Sequence, residues 1–224
     1  MSNPAGNPYP VSFSEEEKDI LQEIMNIAFG NATADLSELI DIQVILSVPD
    51  IRIINSEALS EYLSEVIPYG QESSVAGQKF WGDFNGTGLL FLPSGTERSL
   101  SRFLNVSFLD TNAEDESYPG AQRDTLKNGL LLEISNILIG ACVGKISDLL
   151  NTLVSFTPPE VLSLDKTDYA FLLKHFESEE TAIVMKTLFQ FDKQNINGLL
   201  LIMTNQNSLD WLKNALFVFM QQYE

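Results

Sequence analysis

Cysteine, histidine and basic residues are scarce in this chain, and each scarcity removes a class of function. The one cysteine, Cys142, excludes an internal disulfide framework and fits a reducing compartment. The one histidine, His175, lies far in sequence from any cysteine, so a structural role outweighs a metal or catalytic one. Thirteen Lys and Arg against 31 Asp and Glu leave a net charge of −18. That balance repels nucleic acid and anionic membrane; it serves solubility first, and can also steer the chain toward a basic patch on a partner protein. No apolar run approaches a membrane span in length. The opening MSNPAGNPYPVSFS has neither the basic nor the apolar region of a secretory signal, so a soluble cytoplasmic protein is expected. Walker loops, zinc-ligand spacings and nucleophile elbows are also missing. The acidic run Asp110 to Glu116 lacks the glycine and the spaced terminal Glu of a calcium loop and reads as solvated linker.

What is present is one stretch used twice. Ser14 to Ile40 reads as a helix opened by a capping box, with the Ser14 hydroxyl and Glu17 serving each other's amides and Glu15, Glu16 and Glu17 matching the positive helix start. At 100° per residue, Asp19, Glu23, Asn26 and Gly30 share one stripe, extended by Thr33 and Ser37. Apolar residues cover most of the remaining circumference, so the helix is expected to be buried except along that strip. A second helix, Leu126 to Leu150, repeats the pattern at an offset of 110: Glu133 falls on Glu23, Asn136 on Asn26, Gly140 on Gly30 and Ser147 on Ser37. The register continues to Pro159 on Pro49 and to the Gly198-Leu199-Leu200 run on Gly88-Leu89-Leu90. Self-similarity at a fixed offset indicates one structural unit present twice.

The expected fold is an α/β protein of the α+β type: a duplicated helix-strands-helix unit whose hairpins build one mostly antiparallel sheet under helices. Asn85-Gly86 between two apolar runs is the strongest hairpin signal. Residues 1–13 read as a tail, and 14–224 as one pseudo-two-fold domain, with a first repeat over about 14–107, an acidic linker over 108–123 and a second repeat over about 124–224. Further helices are expected over Glu57 to Val66, Ser94 to Leu104 and Leu209 to Tyr223, and strands over Tyr169 to Glu177 and Ala182 to Phe191.

Drift between duplicated halves would erase a purely solvating pair of polar residues, yet Glu, Asn, the glycine four residues on and the proline all persist. Mid-helix glycine costs about 1 kcal/mol against alanine, and having it twice on the polar stripe suggests that something approaches that face closely. Asparagine has no useful pKa and cannot act as a base; its carboxamide can only donate and accept hydrogen bonds. That suits the positioning of a water molecule, and phosphoryl hydrolysis through a loose transition state asks for little beyond positioning and electrostatics.

The segments EIMNIAFGNATADLSELI and EISNILIGACVGKISDLL, each with a proline 23 residues past the asparagine, resemble the CheC/CheX/FliY family of bacterial chemotaxis phosphatases, and the duplication resembles its two-site form. The family pattern runs Asp or Ser, three residues, Glu, two residues, Asn, 22 residues, Pro. Asp19, Glu23, Asn26 and Pro49 match it in full; Glu133, Asn136 and Pro159 match, with Gly129 where Asp or Ser is expected. Met25 and Ser135 stand where the family often has glycine. The resemblance implies a phosphatase acting on the aspartyl phosphate of a CheY-like receiver. Asn26 and Asn136 would orient the attacking water and Glu23 and Glu133 would pair with the receiver's active-site lysine, with Asp19 as a supporting contact. Gly30 and Gly140 would give clearance, and Pro49 and Pro159 would shape the strand below. It implies no cofactor of the chain's own, since the receiver brings its Mg²⁺, and CheD as a further partner; the internal duplication makes a self-sufficient monomer the expected state. The rival it leaves open is a non-catalytic receiver-binding or adaptor protein, like the flagellar switch components that share the architecture.

Overall fold

The computed structural model describes residues 13–40, 43–66, 73–93, 96, 120–162, 181–191, 196–204 and 206–221. Helix α1 (Glu15–Ile40) begins with the expected capping box: the Ser14 amide donates to Glu17 Oε2 at 2.7 Å and the Glu17 amide to Ser14 Oγ at 3.1 Å. The side-chain carboxylate of Glu17 also meets Lys213 Nζ at 3.2 Å. Phe13, expected to belong to the tail, is buried in the core beneath Lys213. Strands β1 (Val44–Leu46) and β2 (Asp50–Asn55) follow, parted at Pro49, which has no amide for a ladder. Helix α2 (Ser56–Val66) leads to the hairpin β3 (Ser73–Gly82) and β4 (Gly86–Pro93), found where the Asn85-Gly86 signal expects one but connected over 83–85, since Gly86 already pairs with Phe80 in the ladder. The second half contains α3 (Gly120–Leu149), β5 (Val154–Phe156), β6 (Glu160–Leu162), β7 (Thr181–Phe191), β8 (Ile196–Thr204) and α4 (Gln206–Gln221). Helix α3 begins inside the stretch read as linker. The expected helix over Ser94 to Leu104 (Thr96 apart, which is in no helix), the strand over Tyr169 to Glu177 and His175 lie outside the described residues.

The eight strands among the described residues form one antiparallel sheet in the order β1-β7-β8-β4-β3-β5, with β2 continuing the β1 edge on β7 and β6 the β5 edge on β3. The order is palindromic under exchange of halves, which places a pseudo-two-fold axis normal to the sheet between β4 and β8, where Leu89 pairs with Leu201 and Leu90 with Leu200. The halves meet edge to edge at that pair, as expected. Their outer strands, however, are exchanged: β1 and β2 of the first half ladder onto β7 of the second, and β5 and β6 of the second onto β3 of the first. Among the described strands, neither half completes its own sheet edge.

The ladder also corrects the sequence register. Phe80 lies opposite Phe156 and Phe189 opposite Leu46, so β3 and β7 correspond at an offset of 109. Gly86 faces Phe80, and Gly198 faces Phe189. In both places an added Cβ would run into the phenyl ring, at 2.4 Å from Phe80 and 2.0 Å from Phe189. Gly198 is therefore the counterpart of Gly86, and the sequence-level match to Gly88 arises from hairpin turns of unequal length.

Helices α1, α3 and α4 cover one face of the sheet over a core that includes Leu21, Ile24, Met25, Phe29, Ile134, Ile139, Phe80, Phe189 and Leu216. Each such side chain, fully withdrawn from water, contributes about 1.5–3 kcal/mol. Helix α2 covers the other face, where Leu59, Tyr62 and Leu63 pack on Val75, Leu89, Val184 and Leu201. Segment Lys127–Leu149 of α3 is apolar and long enough to pass for a membrane span, but half of that window is buried in the fold. Its apolar residues face the sheet and α1, as in a core helix.

Candidate functional site

Helices α1 and α3 pack against each other on the sheet, and the two-fold axis normal to the sheet makes them antiparallel. At their crossing Lys145 Nζ reaches Asp35 Oδ2 at 2.5 Å; these two residues are equivalents at an offset of 110, so the axis passes between them. The hydrogen bond to Asp35 raises the Lys145 pKa above its usual value. Asn26 and Asn136 lie nine residues toward the helix start on either side of this point. At 1.5 Å per residue they stand roughly 27 Å apart, at opposite ends of one helical platform.

The exposed stripes are where the periodicity puts them. Asp19, Glu23 and Gly30 on α1, and Gly129, Glu133 and Asn136 on α3, are exposed; Asn26 and Gly140 are half-buried. Nothing within 4 Å would meet a Cβ added at Gly30 or Gly140. Thr33 and Ser37, expected on the same stripe, are spent locally: Thr33 Oγ1 donates to the Phe29 carbonyl at 2.7 Å and Ser37 Oγ accepts from the Val44 amide at 2.9 Å. Ser147 ties the end of α3 to its following turn in a similar way, donating to the Thr152 carbonyl at 2.7 Å.

Each asparagine is held by a glutamine. In the first site Gln22 Nε2 donates to the Pro49 carbonyl at 2.7 Å and reaches Asn26 Oδ1 at 3.4 Å. In the second, Gln78 Nε2 donates to the Thr157 carbonyl at 2.9 Å and to Asn136 Oδ1 at 2.8 Å. A backbone carbonyl can only accept, so it fixes which end of the glutamine amide faces it. The nitrogen so placed can only donate, so it fixes the asparagine with Oδ1 toward the glutamine. Both asparagines therefore keep Nδ2, a double donor, for whatever approaches the helix. Pro49 is buried and sits in this chain of contacts through its carbonyl; Pro159 lies two residues beyond the carbonyl that anchors Gln78.

The two glutamines were not among the residues singled out by motif, and they come from different places. Gln22 is on the same helix as its asparagine, one turn earlier. Gln78 projects from β3 of the other half, and the 109 register makes its counterpart Thr187, whose hydroxyl donates to the Ser47 carbonyl at 2.8 Å. Threonine is too short to reach further, so the first site uses Gln22 instead. A signal for Gln78 did exist in the sequence: period-two alternation puts it on the same face as Ala76 and Phe80, a polar residue on an otherwise apolar inner face.

A cleft of about 820 Å³ opens beside the first site, between α1, β2 and α2, and has Gln22, Lys18, Arg52 and Tyr62 on its walls. Burial, and then the Asp50 carboxylate, raise the Tyr62 pKa. Among the described residues no group of His, Cys, Asp and Glu stands together as a metal site. Cys142 is fully buried on the inner side of α3, and burial pushes its thiol up to about 12, far from the thiolate a nucleophile needs.

Residues 16–53 match the CheC-like family. The fold is similar to that of FliY from Thermotoga maritima, with a TM-score of 0.63 at 17% identity over 96% of this chain and 100% of that one. It is also similar to the middle domain of FliM from H. pylori, at 0.52 and 10% identity over 91% and 99% of the two chains. The chemotaxis protein CheX from Desulfovibrio desulfuricans matches at 0.50 and 13% identity over 82% and 99%. The chain thus carries a CheC-like sequence match from α1 through Pro49 into β2, and it shares its fold along nearly its whole length with FliY and the FliM middle domain.

Proposed function

We propose that this protein hydrolyses the aspartyl phosphate of a CheY-like receiver domain, using the two asparagine sites on α1 and α3. The observation that carries the reading is the pair of carboxamides fixed with their N–H groups outward on exposed helices, each one turn from an exposed glutamate. Asn26 or Asn136 would hold the attacking water by its oxygen, leaving a lone pair for in-line attack on phosphorus. Glu23 or Glu133 would pair with a cation beside the phosphorylated aspartate, and Asp19 would add a contact in the first site alone. The receiver supplies the divalent metal and the charge that stabilise the loose transition state; this chain supplies position. Open space over Gly30 and Gly140 suits the close approach of a partner. A separation of about 27 Å, near the diameter of a small domain, lets two receivers dock at once.

A second reading, docking without turnover, has the shared fold of the FliM middle domain in its favour, since a fold does not by itself bring an activity. Phosphate release from a phosphorylated receiver separates the two. Catalysis predicts many receivers discharged per protein at substoichiometric amounts; an adaptor predicts discharge at the receiver's own rate. CheD binding, which rests on the family resemblance, a monomeric state, which rests on the internal duplication, and a cytoplasmic location, which rests on the single cysteine, complete the proposal.

A further inference from the structure

We infer that Gln78 is a positioning residue for Asn136 and makes the α3 site the better-organised of the two, so that it carries most of the turnover; this rests on the reading of the asparagines as water-orienting groups. Three observations carry it. Gln78 is 2% exposed and projects from the middle of the hairpin strand β3, so its amide cannot swing away from Asn136. Its Nε2 spends both protons, one on the Thr157 carbonyl and one on Asn136 Oδ1, at 2.9 and 2.8 Å. Its Oε1 is buried without a hydrogen-bond partner.

The last point shows what the residue is for. An unpaired buried carbonyl oxygen is a standing cost, one that a leucine or methionine at the same place on this apolar face would avoid. Turning the amide over would not help, because Oε1 would then confront the Thr157 carbonyl and Asn136 Oδ1. The orphan oxygen is therefore tolerated for what the nitrogen does, which is to set the plane and polarity of the Asn136 carboxamide.

The first site has no equivalent. Asn26 is held at 3.4 Å by Gln22, half-buried on the same helix, and the strand position matching Gln78 is Thr187, already bonded to Ser47. An amide held by one long contact from a half-buried neighbour on its own helix samples more orientations than one clamped from the sheet at 2.8 Å, and a water held by it is in line less of the time. The motif match alone ranks the sites the other way, because Asp19 is present in the first and Gly129 replaces it in the second. We expect Asp19 to act on docking and Gln78 on the chemical step.

The test uses the full chain with Asn26→Ala, which leaves the α3 site alone, and adds Gln78→Met, which keeps length and volume but not the donors. We expect kcat for a phosphorylated receiver to fall about tenfold or more with KM unchanged. The fall should vanish in an Asn136→Ala background. In the otherwise wild-type chain, Asn136→Ala should cost more turnover than Asn26→Ala. A Gln78→Met enzyme with unchanged kcat, or an equal loss whether or not Asn136 is present, overturns the inference. If the wild-type chain discharges no receiver, the phosphatase reading fails by itself, and the positioning is judged by NMR. The side-chain Nδ2 proton pair of Asn136 should be sharp and well separated in the wild-type chain and shifted or broadened by Gln78→Met. An identical pair in both overturns the role of Gln78 whatever the activity.

Discussion

Gly88→Ala provides a stringent test of how the sheet sets the geometry of the α3 site. A Cβ built at Gly88 would stand 2.6 Å from Ile139 Cγ2 and 2.9 Å from its Cγ1. Ordinary contact needs about 1 Å more. Ile139 cannot supply it by rotating, because a β-branched residue in a helix has one strongly preferred χ1 and because it is fully buried. The helix itself must rise. Asn136 is three residues from Ile139, so lifting this turn of α3 by about 1 Å carries the 2.8 Å bond from Gln78 past hydrogen-bonding range. Overpacking of this kind costs about 1–3 kcal/mol, or roughly 2–12 °C in melting temperature for a chain of this size. Urea denaturation gives the free energy, and receiver discharge in the Asn26→Ala background gives the activity. Both should fall, and adding Ile139→Ala, which removes the clashing atoms, should cost less on Gly88→Ala than on the wild type. If Gly88→Ala is as stable as wild type within a few tenths of a kcal/mol, or if the two substitutions are additive, the close packing described here does not position α3.

Other substitutions probe other parts of the account. Gly30→Ala and Gly140→Ala should each raise stability by about 1 kcal/mol, since the fold leaves open space there, while weakening receiver docking; a destabilised variant with normal docking would remove the clearance argument. Cys142 should resist thiol reagents in the folded protein up to about pH 9 and react only on unfolding. Because burial raises its pKa, the fold should lose stability as pH climbs above 9, a loss that Cys142→Ala abolishes in pH-dependent melts. For Glu17, burial works to raise the pKa but is outweighed by the Ser14 amide and by Lys213, and the net direction is down. Its contribution is therefore present above the ordinary carboxylate pKa and lost as pH falls through the lowered one. The stability gap between wild type and Glu17→Gln should be widest near neutrality and close in acid.

Much of this arrangement was legible in the sequence because it depends on local periods. The stripe of Asp19, Glu23, Asn26 and Gly30 follows from helical geometry, and the place of the β3–β4 hairpin from the Asn85-Gly86 signal, although Gly86 itself belongs to the strand. The second helix was found by comparison with the first, without any reference outside the chain. Contacts that depend on which strand lies beside which were not legible. Exchange of β1 and β2 with β5 and β6 between halves leaves no mark in composition, and a constant offset of 110 hides the shift to 109 in β7. Gln78 shows the consequence. Its inward direction can be read from strand alternation, but its partner is an asparagine 58 residues away, brought near only by the strand exchange. Phe13 fell outside the expected domain because the proline and glycine content before it signals a tail, whereas its burial depends on α4, at the far end of the chain.

The most direct measurement is release of inorganic phosphate from a phosphorylated receiver by the Asn26→Ala/Asn136→Ala variant. Asn26 is half-buried and Asn136 exposed, so the variant should keep the helical content of wild type and melt only modestly lower, because Asn136→Ala leaves one Gln78 N–H without its partner. The account predicts that this folded protein discharges the receiver no faster than the receiver discharges itself. Acceleration equal to that of the wild-type chain would contradict it.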